Sequence, residues 1–203
     1  DTRSDLTRGE RNALRDLPAR YAAPPFPYPP PLPERQTLFF SLTSGNAINL
    51  FWGTTMATFQ TITTDKKQYL PLLLLADPCE AMIDRYLEAG DMHVLSIGDA
   101  PVCVAVVIPY SDTACELKNL ATDPQFQKQG YATRLMETLF KFYAARFRAM
   151  YVGTAGPGVA FYARFGFTHS HTVTGFFTDN YPEPLYEDGV LLTDMLYLKK
   201  ELA

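Results

Sequence analysis

The residues best suited to chemistry lie in the stretch 116–135, where a strand runs into a helix. Asp123-Pro124 marks a turn, and Gln127-Lys-Gln-Gly130-Tyr-Ala132 then opens the helix. The first-turn amides of a helix lack intrahelical partners and carry the positive end of the helix dipole. Because Gly130 and Ala132 are small, an anion can approach the backbone itself. The spacing predicts a phosphate cradle, although taken alone it also fits an ordinary helix start, and it is neither a Walker loop nor a dinucleotide fingerprint.

A second motif follows about thirty residues later, in Phe161-Tyr162-Ala-Arg-Phe-Gly166-Phe167. It predicts a short helix that carries a tyrosine, stops at a glycine and enters a strand. A tyrosine hydroxyl can act as a general acid, whereas an isolated tyrosine is more often a packed aromatic residue. The order of the two motifs along the chain therefore carries more information than either motif alone.

The order of these features resembles that of the GCN5-related N-acetyltransferase (GNAT) superfamily: a strand, the cradle, a long helix, a second strand and then the tyrosine motif. The resemblance covers about residues 56–203 and is most specific between Glu116 and Phe167. It implies a mixed α/β or α+β fold, the acyl-CoA N-acyltransferase fold, with a central, mixed and mostly antiparallel sheet flanked by helices. It also implies transfer of an acetyl group from acetyl-CoA to a primary amine of a small molecule or a protein, without a metal. The tail of the chain is similar to a bacterial subgroup whose acceptors the sequence does not name.

The resemblance implies roles for individual residues. Tyr162 matches the general acid that protonates the departing CoA thiolate, and Glu116 matches a carboxylate that removes a proton from the acceptor amine. The strand residues match the segment that pairs with the pantetheine arm, and the loop residues match the pyrophosphate site. A backbone N–H of Leu120 or Ala121 would stabilise the oxyanion. The expected cofactor-binding residues are Leu120, Ala121, Thr122, Gln127, Lys128, Gln129, Gly130, Tyr131, Ala132 and Thr133.

Direct attack by the amine in a ternary complex fits this set of residues. An alkyl amine is mostly protonated at neutral pH, so a base within reach is useful, and no covalent enzyme intermediate is required. The thioester slot is expected between the strands at 116–122 and 150–153.

One position departs from the family pattern. Many members have Asn seven residues before the motif tyrosine, where this chain has Ala155. The departure keeps open an alternative function, a GNAT-like module that binds acyl-CoA without turnover, whereas the retention of Tyr162 favours an enzyme. A third alternative, a protein that binds partners through a proline-rich arm, rests on composition alone.

The elements that must position these residues can be predicted from hydrophobic periodicity and turn signals. Gly98-Asp99-Ala100 predicts a hairpin turn, and Asp77-Pro78 predicts the start of a helix. The predicted strands lie at 59–63, 92–97, 102–109, 116–122, 150–153, 167–171 and 191–198. The predicted helices lie at 66–75, 78–88, 132–147 and 159–164.

Composition excludes several classes of function. The 203 residues carry a net charge of −4, which argues against duplex nucleic acid as the main partner. The uncharged stretch 36–64 is interrupted by Ser, Thr and Asn too often for a membrane span, and no signal peptide is evident. Three cysteines at 79, 103 and 115 show no metal-ligand spacing, so we expect a reducing cytoplasm, and Cys103 and Cys115 are expected to be inert core thiols. We expect a monomer or homodimer.

The first 55 residues differ from the rest of the chain. Eight of the 16 prolines lie before residue 34, and all seven lysines lie after residue 65. Residues 4–17 show a weak amphipathic pattern, and 24–33 predicts extended, polyproline-like chain. We therefore expect a proline-rich extension at 1–55, poorly ordered or non-native, before a GNAT domain at 56–203.

Two further groups of residues bear on the acceptor. The segment 178–188 combines four acidic residues with two tyrosines, which suits either an exposed loop or an acceptor wall for a cationic amine. His169 and His171 share one face of a strand without an apparent third metal ligand, so we expect surface or acceptor-side residues. Asn119 is expected either in the acceptor slot or in a hydrogen-bond network, and Lys118 and Lys128 either beside phosphates or in solvent.

Overall fold

The computed structural model describes residues 40–42, 47–52, 55–187 and 189–202. These residues fall into two units. The first unit contains the described residues up to Pro109 together with Leu117–Ala145, and the second contains Tyr110–Glu116 and the described residues from Arg146 onward. The predicted amphipathic pattern at 4–17 and the proline-rich stretch at 24–33 lie outside the described residues. Within the described part of the chain, no helix is long and apolar enough to cross a membrane.

The strands from β1 to β6 follow one another in sequence order, and the first unit contains β1 to β4, β5 as far as Pro109 and β6 from Leu117. From β1 to β5, each strand pairs with the next one in antiparallel orientation. The predicted turn at Gly98-Asp99 is confirmed, and Gly98 has a φ of 57°, which favours glycine. The strands are β1 Phe40–Leu42, β2 Ala47–Trp52, β3 Thr55–Ile62, β4 Asp91–Ile97, β5 Ala100–Ser111 and β6 Ala114–Thr122. The helices are α1 Leu70–Leu73, α2 Glu80–Asp84 and α3 Tyr131–Ala144, with 3₁₀ turns at Lys66–Tyr69 and Pro124–Phe126.

Strand β4 is covered on both faces because neighbouring residues of a strand point to opposite sides. Met92 and Val94 pair with Val106 and Val104 of β5, and this face packs on α1 and α2. On the other face, His93 contacts Tyr143 of α3. The first unit is therefore layered, with short helices on one side of the sheet and the long helix α3 on the other.

The two short helices differ from the sequence-based expectation. In the segment predicted as a helix at 66–75, residues 66–69 form a 3₁₀ turn, and α1 begins at Leu70 with Pro71 in its first turn. Leu72 and Leu73 are buried whereas Leu75 is 51% exposed, so this run of leucines faces the core only in its first part. Helix α2 begins at Glu80 because the Asp77 carboxylate accepts from the Cys79 amide and forms a separate turn.

The second unit is built on three strands in the order β7-β11-β8, with β11 antiparallel to both neighbours. A small hairpin and a helix lie between β8 and β11, in a segment that the sequence predicts as a loop. The strands are β7 Ala149–Thr154, β8 Thr168–Val173, β9 Tyr186–Glu187, β10 Val190–Leu191 and β11 Met195–Glu201. The helices are α4 Val159–Ala163, preceded by a 3₁₀ turn at Gly156–Gly158, and α5 Phe176–Asn180.

Strand β2 lies before residue 56 and pairs with β3 in the register Ala47↔Gln60 to Trp52↔Thr55. Leu50 of this strand is buried. The segment 1–55 therefore includes residues that pair with the sheet. The boundary at residue 56, and the interpretation of residues 1–55 as an extension, remain predictions.

His93 is the centre of a buried polar network in the first unit. The Tyr143 hydroxyl donates to Asp91 Oδ2 at 3.2 Å and lies 2.8 Å from His93 Nε2. Since the tyrosine proton is directed to Asp91, His93 Nε2 must be the donor to Tyr143, and Nδ1 then accepts from the Thr61 hydroxyl at 3.1 Å. Burial lowers the pKa of His93 from 6.5 to about 4, so the imidazole is neutral in the folded protein at neutral pH.

This network predicts an acid-sensitive stability. Between pH 6.5 and 4 the unfolded chain binds a proton at His93 that the folded chain does not bind. The free energy of unfolding should therefore decrease as the pH falls through this window, by up to about 1.4 kcal/mol per pH unit. Urea unfolding should show a smaller slope in His93→Gln, and Tyr143→Phe should lose stability but keep the slope. An equal slope in His93→Gln and the parent would contradict the assignment.

Candidate active site

The predicted phosphate cradle lies at the N-terminus of α3. Asp123 accepts a hydrogen bond from the Gln125 amide at 2.8 Å and starts the 3₁₀ turn that leads into the loop. Lys128 and Gly130 both have left-handed backbone, with φ of 59° and 84°, and Gly130 is the N-cap residue of α3. Glycine supplies this conformation without a steric penalty and has no side chain to cover the first-turn amides. The helix therefore starts at Gly130, next to the predicted loop, and the role of the loop as a phosphate cradle stays a prediction.

The loop side chains support the backbone of the loop. Gln127 Nε2 donates to the Thr122 carbonyl at 3.2 Å, and Gln129 Nε2 donates to the Gln125 carbonyl at 2.9 Å. Tyr131 packs edge-on against Phe126, with ring centroids 5.9 Å apart. These contacts indicate that the loop would present its amides, rather than its glutamine side chains, to an anion.

Arg134 is a candidate that the sequence analysis missed. It lies in the first turn of α3, where the helix dipole disfavours a cation. Partial burial lowers the pKa of the guanidinium. An arginine near the predicted cradle suits a phosphate. Its position four residues after Gly130 is the sequence feature that could have identified it.

The strand residues expected to contact pantetheine alternate in burial. Leu120 and Thr122 are half-buried, whereas Ala121 is buried in the core formed with α1 and α2. The Thr122 hydroxyl lies 3.2 Å from Cys103 Sγ. Leu120 and Thr122 therefore share the more accessible face of β6, and their pairing with a pantetheine arm remains a prediction.

Asn119 belongs to a hydrogen-bond network. Its amide nitrogen donates to the Leu73 carbonyl and to the Tyr86 hydroxyl, both at 3.1 Å. The opposite orientation of the amide would place Oδ1 against the Leu73 carbonyl, so the nitrogen is correctly assigned to these contacts. Asn119 Oδ1 is buried and has no hydrogen-bond partner among the described residues.

Tyr162 lies on α4, whose end explains the spacing of the second motif. The Gly166 amide donates to the Ala163 carbonyl at 2.9 Å, and the Phe167 amide donates to the Tyr162 carbonyl at 3.4 Å. This pattern is a Schellman motif, in which the glycine at φ 84° ends the helix. The rings of Tyr162 and Phe167 pack 5.8 Å apart, which is the apolar contact that accompanies the motif. The glycine and phenylalanine thus hold the tyrosine in place.

Glu116 is a buried carboxylate of the second unit. Its side chain accepts a hydrogen bond from the Tyr197 hydroxyl at 3.1 Å. Tyr197 is a residue of β11 that the sequence analysis did not assign to the site. The sequence separation of 81 residues explains this omission, because no local pattern links the two positions.

Ala155, the position that departs from the family pattern, is packed in an apolar cluster. It lies with Phe177 and Leu192, and Phe176, Tyr181, Leu185 and Met195 pack against the three. These residues come from α5 and its flanking chain, so the segment between β8 and β11 explains the alanine. An asparagine here would bring an amide into an apolar environment.

The remaining candidates are distributed over the second unit. The His171 ring stacks on Tyr197, and His169 Nε2 lies 3.0 Å from the Thr172 hydroxyl. Among the described residues, no three His, Cys, Asp or Glu side chains are grouped closely enough to hold a metal ion. Asp179 and Glu183 are exposed, whereas Asp188 lies outside the described residues.

Comparison with known proteins identifies the family. A model of the acetyltransferase (GNAT) domain matches residues 88–169. A GNAT family acetyltransferase from Elizabethkingia anophelis, solved with acetyl-CoA bound, is 31% identical with a TM-score of 0.69, over 72% of this chain and 98% of that chain. A Bacillus subtilis acetyltransferase solved with CoA is 26% identical with a TM-score of 0.65, over 71% and 98% of the two chains. The uncharacterized N-acetyltransferase YvbK of Bacillus subtilis is 29% identical over 135 residues, which are 64% of this chain and 87% of that protein.

This chain therefore belongs to the GNAT superfamily of acetyltransferases and has the GNAT fold. The family and the fold class predicted from the sequence are both confirmed.

The packing of Ala155 predicts the outcome of restoring the family residue. Ala155→Asn should lower the free energy of unfolding by about 1–3 kcal/mol more than Ala155→Leu, which has a similar volume without the polar amide. Urea unfolding measures the difference, and calorimetric titration with CoA should show no gain in affinity for the asparagine variant. Equal stability of the two variants, or tighter CoA binding by Ala155→Asn, would show that the site accepts an amide.

Proposed function

We propose that this protein transfers an acetyl group from acetyl-CoA to a primary amine by direct attack of the amine in a ternary complex. The observation that carries the proposal is the N-terminus of α3. Its N-cap residue Gly130 has a left-handed backbone conformation, and its first turn contains no acidic residue. Such an end suits the pyrophosphate of CoA. The residues around it match the family motif position by position.

The identity of the acyl donor follows from the family. The prediction of acetyl-CoA is confirmed by relatives that were solved with acetyl-CoA or CoA bound. Acetyl-CoA supplies the thioester carbon that the amine attacks and the thiolate that leaves. We propose that the amides of Gln127–Thr133 hold its pyrophosphate and that the backbone of Leu120–Thr122 pairs with its pantetheine arm. Arg134 adds a cation beside the same phosphates.

Glu116 is the proposed general base. An alkyl ammonium must lose a proton before its nitrogen can attack. A carboxylate near the start of β6 could take this proton directly or through water. The buried position of Glu116 supports the role, because a carboxylate with few water neighbours interacts more strongly with a cationic amine. A backbone N–H of Leu120 or Ala121 would face the negative charge that develops on the thioester oxygen.

Tyr162 is the proposed general acid. Its hydroxyl would donate a proton to the thiolate sulfur as the carbon–sulfur bond breaks, while the new carbon–nitrogen bond is retained in the product. The ring is held from two sides by Phe161 and Phe167, at centroid distances of 5.1 and 5.8 Å. This packing supports the role because a proton donor must be held in a fixed orientation.

The two buried cysteines, Cys103 and Cys115, support direct attack rather than an acetyl-enzyme formed on either of them. Burial raises the pKa of both Cys103 and Cys115 to about 12, and both thiols are buried. At neutral pH only about one thiol in 10⁵ would be ionised, and the thiolate is the nucleophilic form. The buried thiols also agree with the proposed location in a reducing cytoplasm.

A cationic amine is the acceptor class that we favour. Asp179 and Glu183 are exposed in the segment before β11, and Tyr186 is 67% exposed. Carboxylates and an aromatic face are complementary to an ammonium group. We propose that the protein is a monomer or a homodimer.

The second candidate function is an acyl-CoA-binding module without turnover. The packing of Ala155 among apolar side chains favours it, because the asparagine that many members use near the cofactor is replaced. A thiol-release assay with acetyl-CoA against amines, polyamines, amino acids and peptides discriminates the two. Binding of CoA without turnover of any amine in the panel would favour the module over the enzyme.

Substitution of the proposed acid gives the first test. Tyr162→Phe should lower kcat by about 10²- to 10⁴-fold with little change in the KM for acetyl-CoA, because the ring contacts remain and only the proton donor is lost. The thiol-release assay measures both parameters. A Tyr162→Phe enzyme with the kcat of the parent would remove Tyr162 from the mechanism.

Substitution of the cradle glycine gives the second test. Gly130→Ala should weaken CoA binding, since alanine disfavours the left-handed backbone by about 1–2 kcal/mol and adds a side chain beside the first-turn amides. Gly98→Ala is the matched control, because Gly98 also has positive φ but lies on the β4–β5 turn, where an added Cβ meets no atom within 4 Å. Calorimetry should show reduced CoA affinity for Gly130→Ala alone. Equal affinities in the two variants would contradict the cradle.

A further inference from the structure

The hydroxyl of Tyr197 reaches the carboxylate of Glu116 within the second unit. The donor–acceptor distance to Glu116 Oε1 is 3.1 Å, and the carboxylate residue is only 5% exposed. A buried carboxylate needs hydrogen-bond donors to remain charged at low cost. The hydroxyl of Tyr197 is therefore a specific feature of this site and not an incidental surface contact.

The backbone register explains how a β11 side chain reaches this far. Tyr197 pairs with Gly153 of β7 on one side and with His171 of β8 on the other. A Cβ atom on Gly153 would lie 3.4 Å from Tyr197 Cζ and 2.4 Å from Met195 Sδ. The tip of the tyrosine ring thus lies over the space that the glycine leaves open.

The ring is also held from its other side. The imidazole of His171 stacks on Tyr197 with centroids 4.6 Å apart and planes inclined by 7°. The Tyr197 ring is therefore held between His171 on one side and Gly153, which has no side chain, on the other. Its hydroxyl can adopt few positions other than the one that contacts Glu116.

The proton on Tyr197 is retained over the physiological pH range. Burial raises the pKa of the phenol well above its usual value, and the neighbouring Glu116 carboxylate raises it further. Tyr197 is thus a permanent donor, and Glu116 Oε1 is its acceptor.

We propose that Tyr197 is a positioning residue that orients the Glu116 carboxylate for proton removal from the acceptor amine. This inference rests on the proposed function, in which Glu116 is the base. One carboxylate oxygen is sufficient to receive the proton from an ammonium, so the other can be held by the tyrosine. His171 and Gly153 contribute by fixing the tyrosine ring.

Tyr197→Phe tests the role because it keeps the ring and removes only the hydroxyl. Loss of a hydrogen bond to a charged group should lower kcat by about 10- to 100-fold, while the KM for acetyl-CoA stays within about 2-fold of the parent. Tyr151→Phe is the matched control on the neighbouring strand, because the described contacts of Tyr151 are the ring of Tyr110 and the ammonium of Lys199. It should retain the kcat of the parent.

A double-mutant cycle with Glu116→Gln shows whether Tyr197 acts through the base. In the Glu116→Gln background, Tyr197→Phe should lower kcat by no more than about 2-fold, whereas independent roles would give the product of the two single effects. His171→Ala should give a smaller loss than Tyr197→Phe, since the hydroxyl remains but the ring is less restrained.

The outcomes separate this inference from the proposed function. A parent that acetylates no amine overturns both. An active parent in which Glu116→Gln is impaired and Tyr197→Phe is not overturns the role of Tyr197 alone. Multiplicative effects in the double variant overturn it as well, because the tyrosine would then act independently of the carboxylate.

Discussion

Buried polar groups that lack a partner destabilise a folded protein, and this constraint underlies the arrangement of both units. Lys66 is 6% exposed, and its ammonium donates to the carbonyls of Leu87, Glu88 and Gly90, which joins the 3₁₀ turn before α1 to the chain between α2 and β4. His93 is neutral and is held by Thr61 and Tyr143. Glu116 meets the same constraint through Tyr197. In each case a polar side chain fixes the relation of segments that are distant in sequence.

The proposed chemistry divides between backbone and side chains in a way that follows from their physical properties. The proposed diphosphate site would use the amides of α3 and the positive φ of Gly130, whereas the loop glutamines support the backbone that carries these amides. The proposed base and the proposed acid are single side chains whose orientation must be fixed. The Schellman motif after Tyr162 and the ring contacts of Tyr197 provide that fixation with ordinary packing forces.

The sequence was most informative where local rules decide the structure. The turn at Gly98, the glycine that begins α3 and the glycine that ends α4 could all be predicted, because positive φ at a glycine is a local property. Tertiary context decided the features that were missed. Helix α5 follows from the packing of Phe177 against Leu192 and Ala155, and α2 starts later than predicted because Asp77 satisfies a backbone amide outside the helix. The contact between Tyr197 and Glu116 required the register of β11 between β7 and β8, which no local pattern specifies.

In the proposed reaction an amine attacks acetyl-CoA directly while both substrates are bound to the protein. Initial-velocity measurements that vary acetyl-CoA at several fixed concentrations of an accepted amine test it most directly, because sequential and double-displacement reactions give different families of lines. Direct attack in a ternary complex predicts double-reciprocal lines that intersect. Parallel lines, together with an acetylated form of the enzyme isolated after reaction with acetyl-CoA alone, would contradict the account.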